Sequence, residues 1–475
     1  MLTVLTVIVP LAMMACGPSP TYTPTPPSTL TPAPTFTPTA TQVPPMPTPW
    51  PTVTFTFLRP TPTFTPISPV LTPFPTATNF LKCRGTNLML QGEVFREISF
   101  NKFDLFHQFV LEGYEHKGAD GRKAAREALR ILGEKGFRVV RVNVSPFYPK
   151  WFNDVFFDKD PQRQKEKRQH FFTRFDEMLD TCDQHGIQIV ATLLWNWENL
   201  ADLGHHSLRE GLRNPLSPGR QKIEEYIRAI VGRYRDRPTI AMWEICNEWN
   251  LGADLQAPNG IIFGHPGGDD LHPGPVIRDE RNNFTSEELA AFFKDVAELI
   301  RSIDPNHLIT TGASAPRPSA MHLLRAARSG LPPDWTLDSE EELIEYIRMI
   351  HPDPIDVISI HYYDEAMTCL GRPNGSPGNI QFFKAAADRI GKPLFIGEIG
   401  LYNELKRYDR PQAMEIVQRT LPVIVNSKIP LTLYWTFNDD RTWARERMLY
   451  SLRYGKTDEV LRLIEKANAE IKMSQ

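Results

Sequence analysis

The sequence predicts an α/β fold, a closed (β/α)8 TIM barrel preceded by a disordered Thr/Pro-rich linker. Three observations carry that expectation. From residue 83 onward the chain runs through eight strand-then-helix units, an alternation that builds a parallel sheet with covering helices. Eight such units suit a closed barrel better than an open doubly wound sheet. No Gly-rich loop of the dinucleotide- or phosphate-binding type follows any strand, which also counts against the open sheet.

The units follow in order. "FREISFN" reads as the first strand, ending near Asn101, and "DGRKAAREALRILGEKG" as its helix, stopped by Gly136, a residue suited to a left-handed cap. "FRVVRVNV" is the second strand; "QHFFTRFDEMLDTCDQHG", capped by Gly186, leads into the third, "IQIVATLLW". "GRQKIEEYIRAIVGRYRD" precedes the fourth, "TIAMWEIC". "TSEELAAFFKDVAELIRSID" precedes the fifth, "HLITTG", with Thr285 as N-cap and Glu288 three residues on, the spacing of a capping box. A longer connection containing "SEEELIEYIRMI" reaches the sixth, "IDVISIHYY"; "IQFFKAAADRIG" reaches the seventh, "KPLFIGEIG", through Gly391. "PQAMEIVQRTLPVIVN" leads to the eighth, "LTLYWTFND", and "KTDEVLRLIEKANAEI" closes the chain as a helix. "NLMLQGEVFRE", turning at Gly92, predicts a hairpin under the barrel.

Ahead of the barrel the composition changes. Residues 17–80 hold 19 of the 43 prolines, are otherwise dominated by threonine and carry one charge, Arg59. Such repeats cannot bury a core and read as an extended, polyproline-like linker, roughly 200 Å long if fully stretched. "MLTVLTVIVPLAMMACG" is an apolar run too short to span a bilayer comfortably; it resembles an export signal, with Ala15-Cys16 as a lipoprotein cleavage box and Cys16 as the lipidated residue. No Lys or Arg precedes that run, and Met13 stands where leucine is usual. The expected organisation is therefore signal and lipobox at 1–16, linker at 17–82, and barrel domain at 83–475, on the cell surface or secreted. Cys83, Cys182, Cys246 and Cys369 match no metal pattern and no dense disulfide framework; Cys182 and Cys246 read as buried free thiols, while a disulfide using Cys83 or Cys369 stays open. The net charge is −3 with no basic stripe, so nucleic acid is not an expected partner. A membrane is expected only through the N-terminal anchor, and the chain is expected to act as a monomer.

In such barrels the site lies at the C-terminal ends of the strands. Those positions hold Asn143, Phe147, Tyr148 and Trp151, then Trp195, Asn196, Trp197 and Glu198, then Asn247, Glu248 and Trp249. His361, Tyr362, Tyr363 and Asp364 follow, then Glu398, then Trp435, Asn438, Asp439 and Trp443. Six of the nine tryptophans fall on this rim. Flat C–H faces of sugars stack on such rings, and their hydroxyls need neighbouring carboxylates and amides, so the rim suits a carbohydrate. Glu248 and Glu398 end strands four and seven, on opposite sides of the mouth. Two facing carboxyls are what glycosidic bond cleavage requires.

Five motifs then resemble a known family. "WEICNEWN" resembles the strand-four motif of clan A glycoside hydrolases, "KPLFIGEIG" their strand-seven nucleophile motif, and "LYWTF" their last strand with its sugar-stacking tryptophan. "GFRVVRVNV" and "ISIHYY" are similar to the Arg-bearing and His-x-Tyr strands of family 5. "ATLLWNWENLADLG" is closer to the Asn-Trp segment of family 5 endo-β-mannanases, here Asn196-Trp197, than to the Leu-Asp-x-His pattern of the cellulases.

The resemblance implies a retaining glycosidase acting on a β-1,4-linked polysaccharide, β-mannan ahead of β-glucan, with no metal and no organic cofactor. It makes Glu248 the acid/base and Glu398 the nucleophile, kept ionised by Arg141 and Tyr363. It implies that Asn247 binds the sugar 2-OH, His361 lines the neighbouring subsite and Trp435 floors the subsite of the attacked sugar. Bland alternatives stand beside these roles. The lesser reading of Arg141 is a structural pair with Glu244, which shares a strand face with Cys246 and Glu248. His361 reads also as a satisfied core histidine, and Trp195, Trp197 and Trp249 as packing. His205-His206 and "HPGGDDLHPG" (265–274) lack recognised metal spacing. An exo-acting glycosidase or transglycosylase on the same scaffold, and a non-catalytic glycan-binding barrel, are the competing functions.

Overall fold

The computed structural model describes residues 80–110, 119–255, 279–363, 377–400, 410–438, 452, 454–455 and 458–474. The signal, Cys16, residues 17–79 of the expected linker, Asp364, Cys369, Asp439, Trp443 and the 265–274 segment lie outside them.

Three short strands come first, β1 (Lys82–Arg84), β2 (Asn87–Leu90) and β3 (Glu93–Phe95), paired antiparallel in that order. Eight parallel strands follow: β4 (Glu97–Asn101), β5 (Val139–Asn143), β6 (Gln188–Leu194), β7 (Ile240–Cys246), β8 (Leu308–Thr310), β9 (Ile358–Tyr363), β10 (Leu394–Gly400) and β11 (Leu431–Tyr434). Their order around the sheet is β8-β7-β6-β5-β4-β11-β10-β9. The circle closes where Thr310 bridges Val357 in parallel, just ahead of β9, with the Thr310 hydroxyl donating to the Val357 carbonyl at 2.9 Å. The expected eightfold barrel is the fold, and helices cover it.

Local signals place the helices. Thr285 and Glu288 form the expected capping box at the start of Ser286–Ile303, and Ser339 with Glu342 does the same for Glu340–Ile350. Asp160 accepts from the N–H groups of Gln162 and Arg163 ahead of Pro161–Gln184, satisfying donors that a helix start leaves unpaired. Gly136 and Gly186 adopt the left-handed conformation at φ 80° and 66°. The first strand ends at Asn101 as expected, and Leu105–Val110 then forms a short helix, with the Asp104 carbonyl accepting the Gln108 backbone N–H.

The barrel interior is layered. At the N-terminal ends of the strands Val139, Val190, Met242, Leu308, Phe395 and Leu431 make an apolar floor, sealed from below by Leu81, Leu88 and Phe95 of the small sheet. The predicted hairpin under the barrel is this three-stranded cap. Two residues further along the same inward faces come Arg141, Thr192 and Glu244, an alternation of period two that turns the core polar toward the mouth.

Candidate active site

Four elements end around one guanidinium. Arg141, on β5, is fully buried; its Nε donates to Glu244 at 2.7 Å, one Nη to Glu398 at 2.7 Å and Asn101 at 3.2 Å, and the other Nη to Asn247 at 2.8 Å. Arg141 thus contacts both carboxyls that the sequence offered it, Glu398 and Glu244. Its charged plane lies 5.0 Å from the Trp195 ring centroid, a cation–π contact.

Glu398 sits where β10 slips register between Ile396 and Glu398 against β9, a bulge that re-aims a side chain. Gly397 belongs to that bulge: a Cβ there would meet the His361 ring at 2.8 Å. Besides Arg141, Glu398 accepts from the Tyr363 hydroxyl at 2.5 Å. Arg141 and Tyr363 were expected to hold this carboxyl ionised. Both pull its pKa down, as does His361, but burial outweighs them and the neighbouring Glu248 adds to the push, so the pKa is raised.

Glu248 follows β7 in the left-handed region, φ 57° and ψ 25°, a conformation uncommon for residues other than glycine. Its N–H donates to the Gly312 carbonyl at 2.8 Å. That approach needs Gly312, whose φ is +73° and where a Cβ would lie 1.8 Å from the Cys246 carbonyl. Burial pushes the Glu248 carboxyl up to about 7, with Arg141 and the Ser314 hydroxyl opposing. Among the described residues no Lys or Arg side chain bonds it as Arg141 bonds Glu398.

His361 lies between the two carboxyls, its Nδ1 3.1 Å from Glu248 and 3.5 Å from Glu398. Burial pushes its pKa down to about 4, against Glu398 and with Arg141, so the ring is neutral near pH 7. It is not a satisfied core histidine, since its buried Nε2 has no partner among the described residues.

Trp435, Trp195, Phe103 and Phe147 form one aromatic cluster, with Tyr148, Trp151 and Tyr363 packed against it. Trp195 and Trp435 lie 6.1 Å apart at 30°. The buried Trp435 indole N–H has no partner among the described residues. The other rim residues frame the loops. Asn196 donates to the Phe147 carbonyl at 2.9 Å, Trp197 covers Gly252 and meets Phe284 edge-on, and Trp249 is buried against Phe292. Asn438 accepts the Tyr454 N–H at 2.8 Å.

Sequence reasoning missed Asn101, whose amide ties Gly397 at 2.9 Å to the Arg141 network, and Ser314, held by reciprocal 2.9 Å bonds to Asn250. An asparagine ending an inward-facing strand was the available signal for the first; nothing local marked the second.

Among the described residues two groups present metal-ligand types. Donor atoms of Glu248, His361 and Glu398 lie within 4.8 Å of one another, as do those of His322, Asp338 and Glu342. The Arg141 charge beside Glu398 opposes a cation in the first. In the second, Asp338 already accepts the N–H groups of Met321 and His322, and Glu342 those of Ser339 and Arg325. His206 spends its ring nitrogens on the Ser207 carbonyl and the Gly219 N–H. The described cysteines, Cys83, Cys182 and Cys246, are free thiols.

Comparison with known proteins decides the family. The family model described as cellulase (glycosyl hydrolase family 5) matches residues 104–441, which holds both glutamates and every strand from β5 to β11. The chain belongs to glycosyl hydrolase family 5. Among its relatives, mannan endo-1,4-beta-mannosidase F of Aspergillus clavatus is 23% identical over 60% of this chain and 56% of its own length. The chain thus spans about half of that relative. Mannan endo-1,4-beta-mannosidase 1 of Arabidopsis thaliana is 21% identical over 74% of this chain and 78% of its own. The solved endo-1,4-beta-mannanase of Rhizomucor miehei superposes with a TM-score of 0.55 at 16% identity, covering 83% of this chain and 99% of that one, a likeness of fold.

Proposed function

We propose that the protein is a retaining, endo-acting glycoside hydrolase that cleaves β-1,4-linked polysaccharide by double displacement, β-mannan or glucomannan ahead of β-glucan. The observation that carries this reading is the unequal pair of glutamates, with carboxyl oxygens within 4.8 Å of one another. Such closeness supports direct attack by one carboxylate, for which the two carboxyl groups stand about 5–5.5 Å apart. Glu398, fixed by Arg141 and Tyr363, attacks the anomeric carbon while Glu248 protonates the leaving oxygen. Water then attacks the glycosyl ester, Glu248 takes its proton and Glu398 leaves. Asn247, its carbonyl committed to Arg141, has its amide N–H groups left for the sugar 2-OH, a contact that strengthens in the oxocarbenium-like transition state. Trp435 is the stacking floor. The mannosidase relatives and the Asn196-Trp197 segment support mannan as first choice. The same proposal has the chain exported, lipidated at Cys16 or released, which the mass of the mature N-terminus distinguishes.

Replacing Glu398 with Gln keeps the acceptor for Arg141 and removes the nucleophile. Hydrolysis is expected to fall at least roughly 10⁴-fold with folding and glycan binding retained; unchanged turnover sinks the assignment. Product sizing after incubation with glucomannan, galactomannan, carboxymethyl cellulose and xylan reads out substrate and endo action, and inactivity on all four points to a glycan-binding barrel.

A further inference from the structure

Glu244 takes no part in either displacement step, yet it is a fully buried carboxylate beside the reacting groups. One oxygen accepts from Arg141 Nε at 2.7 Å and from the Thr192 hydroxyl at 2.6 Å; the other is buried with no partner among the described residues. A buried carboxylate left half-satisfied costs stability, so a sequence that keeps it needs the charge itself. Arg141 touches two carboxylates, and only one of them changes charge during the reaction.

We propose that Glu244 is a positioning residue that holds Arg141 as a neutral pair throughout the catalytic cycle, so that Arg141 neither binds Glu398 too tightly to attack nor stands uncompensated once Glu398 is esterified. This rests on the double-displacement reading. In the first step a bond forms between Glu398 and the anomeric carbon, the glycosidic C–O bond breaks, and the Glu248 proton passes to the leaving oxygen. The negative charge thereby moves from Glu398 to Glu248. With Glu244 in place Arg141 has a counter-ion on both sides of that step. Without it, the whole guanidinium charge falls on Glu398 before attack and on Glu248 afterwards.

The groups facing Glu244, Glu248 and Glu398 are Arg141 from β5, Thr192 from β6, Cys246 from β7, and His361 and Tyr363 from β9. His361 and Tyr363 are neutral near pH 7, as is the deeply buried Cys246 thiol. Glu244 is the carboxyl of the set that takes no part in bond making or breaking. Removing it lets both reacting carboxyls stay ionised to lower pH.

Glu244→Gln isolates the charge, since an amide keeps an acceptor for Arg141 and Thr192 and sets its NH₂ at the unpartnered position. On whichever of the four polymers the wild type hydrolyses, both limbs of the kcat/KM profile are expected to move to lower pH by at least about half a unit. At the wild-type optimum kcat/KM is expected to fall about tenfold. Glu244→Asp, which keeps the charge, is expected to restore both limbs even if kcat stays low. Lost activity with unmoved limbs makes Glu244 a packing residue and overturns the proposal. So does a Gln variant that fails to fold while the Asp variant folds normally. A wild type inactive on all four polymers overturns the functional reading instead.

Discussion

At the scale of single residues, the site separates two chemically identical side chains by what surrounds them. Glu248 and Glu398 are both buried, and burial pushes both pKa values up; the ion pair with Arg141 and the Tyr363 hydroxyl belong to Glu398 alone. That difference supports the proposed division of roles, with Glu248 as the acid and Glu398 as the nucleophile. With Glu248 at about 7, kcat/KM is expected to decline as pH rises through about 7, because the acid is lost. On the acid side it declines as Glu398 protonates. A profile measured on polymer substrate checks the alkaline limb, and full activity retained to pH 9 contradicts the acid role. The sign for stability is opposite to the usual carboxylate case. Glu248 and Asp254, raised to about 7 and about 6 by burial, contribute stability below their ordinary values that is lost as pH rises through the raised ones.

At the scale of elements, most of what positions the site was legible and some was not. The eight strands, the capping box at Thr285 and the glycine stops follow from local pattern, because period two and cap chemistry are read within a few residues. The glutamates were legible once strand order placed their ends on one rim. The relative ionisation of Glu398 was not, since it depends on how far burial outweighs two favourable partners, a question of depth that sequence does not carry. Nor was the link between β7 and β8, where Asn250 pairs with the Ser314 backbone and the buried Arg317 guanidinium donates to the Leu251 carbonyl. These bonds join residues 64–66 positions apart. The β10 bulge yields a test. Gly397→Ala sets a methyl against the His361 ring and is expected to lower kcat/KM about 10²-fold through misplacement, with the fold intact by circular dichroism; an unaltered rate would show that His361 tolerates the shift.

At the scale of the whole molecule, the barrel separates its work along its axis. The apolar floor and the three-stranded cap serve stability, and the polar layer above serves chemistry. Phe95, buried in the cap and lying 4.6 Å beneath the Arg138 guanidinium, belongs to the first. Phe95→Ala is expected to cost about 3–5 kcal/mol, visible as a lower unfolding midpoint, while kcat at 25 °C stays within about twofold; a large loss of kcat would mean that floor and mouth are coupled. The left-handed backbone at Glu248 adds a consequence for how such a chain changes over time. Glycine or asparagine would sit there with less strain and without a buried carboxyl, so position 248 rewards inactivation with robustness. Selection for heat tolerance alone, with no demand for turnover, would favour losing Glu248, the residue proposed as the proton donor.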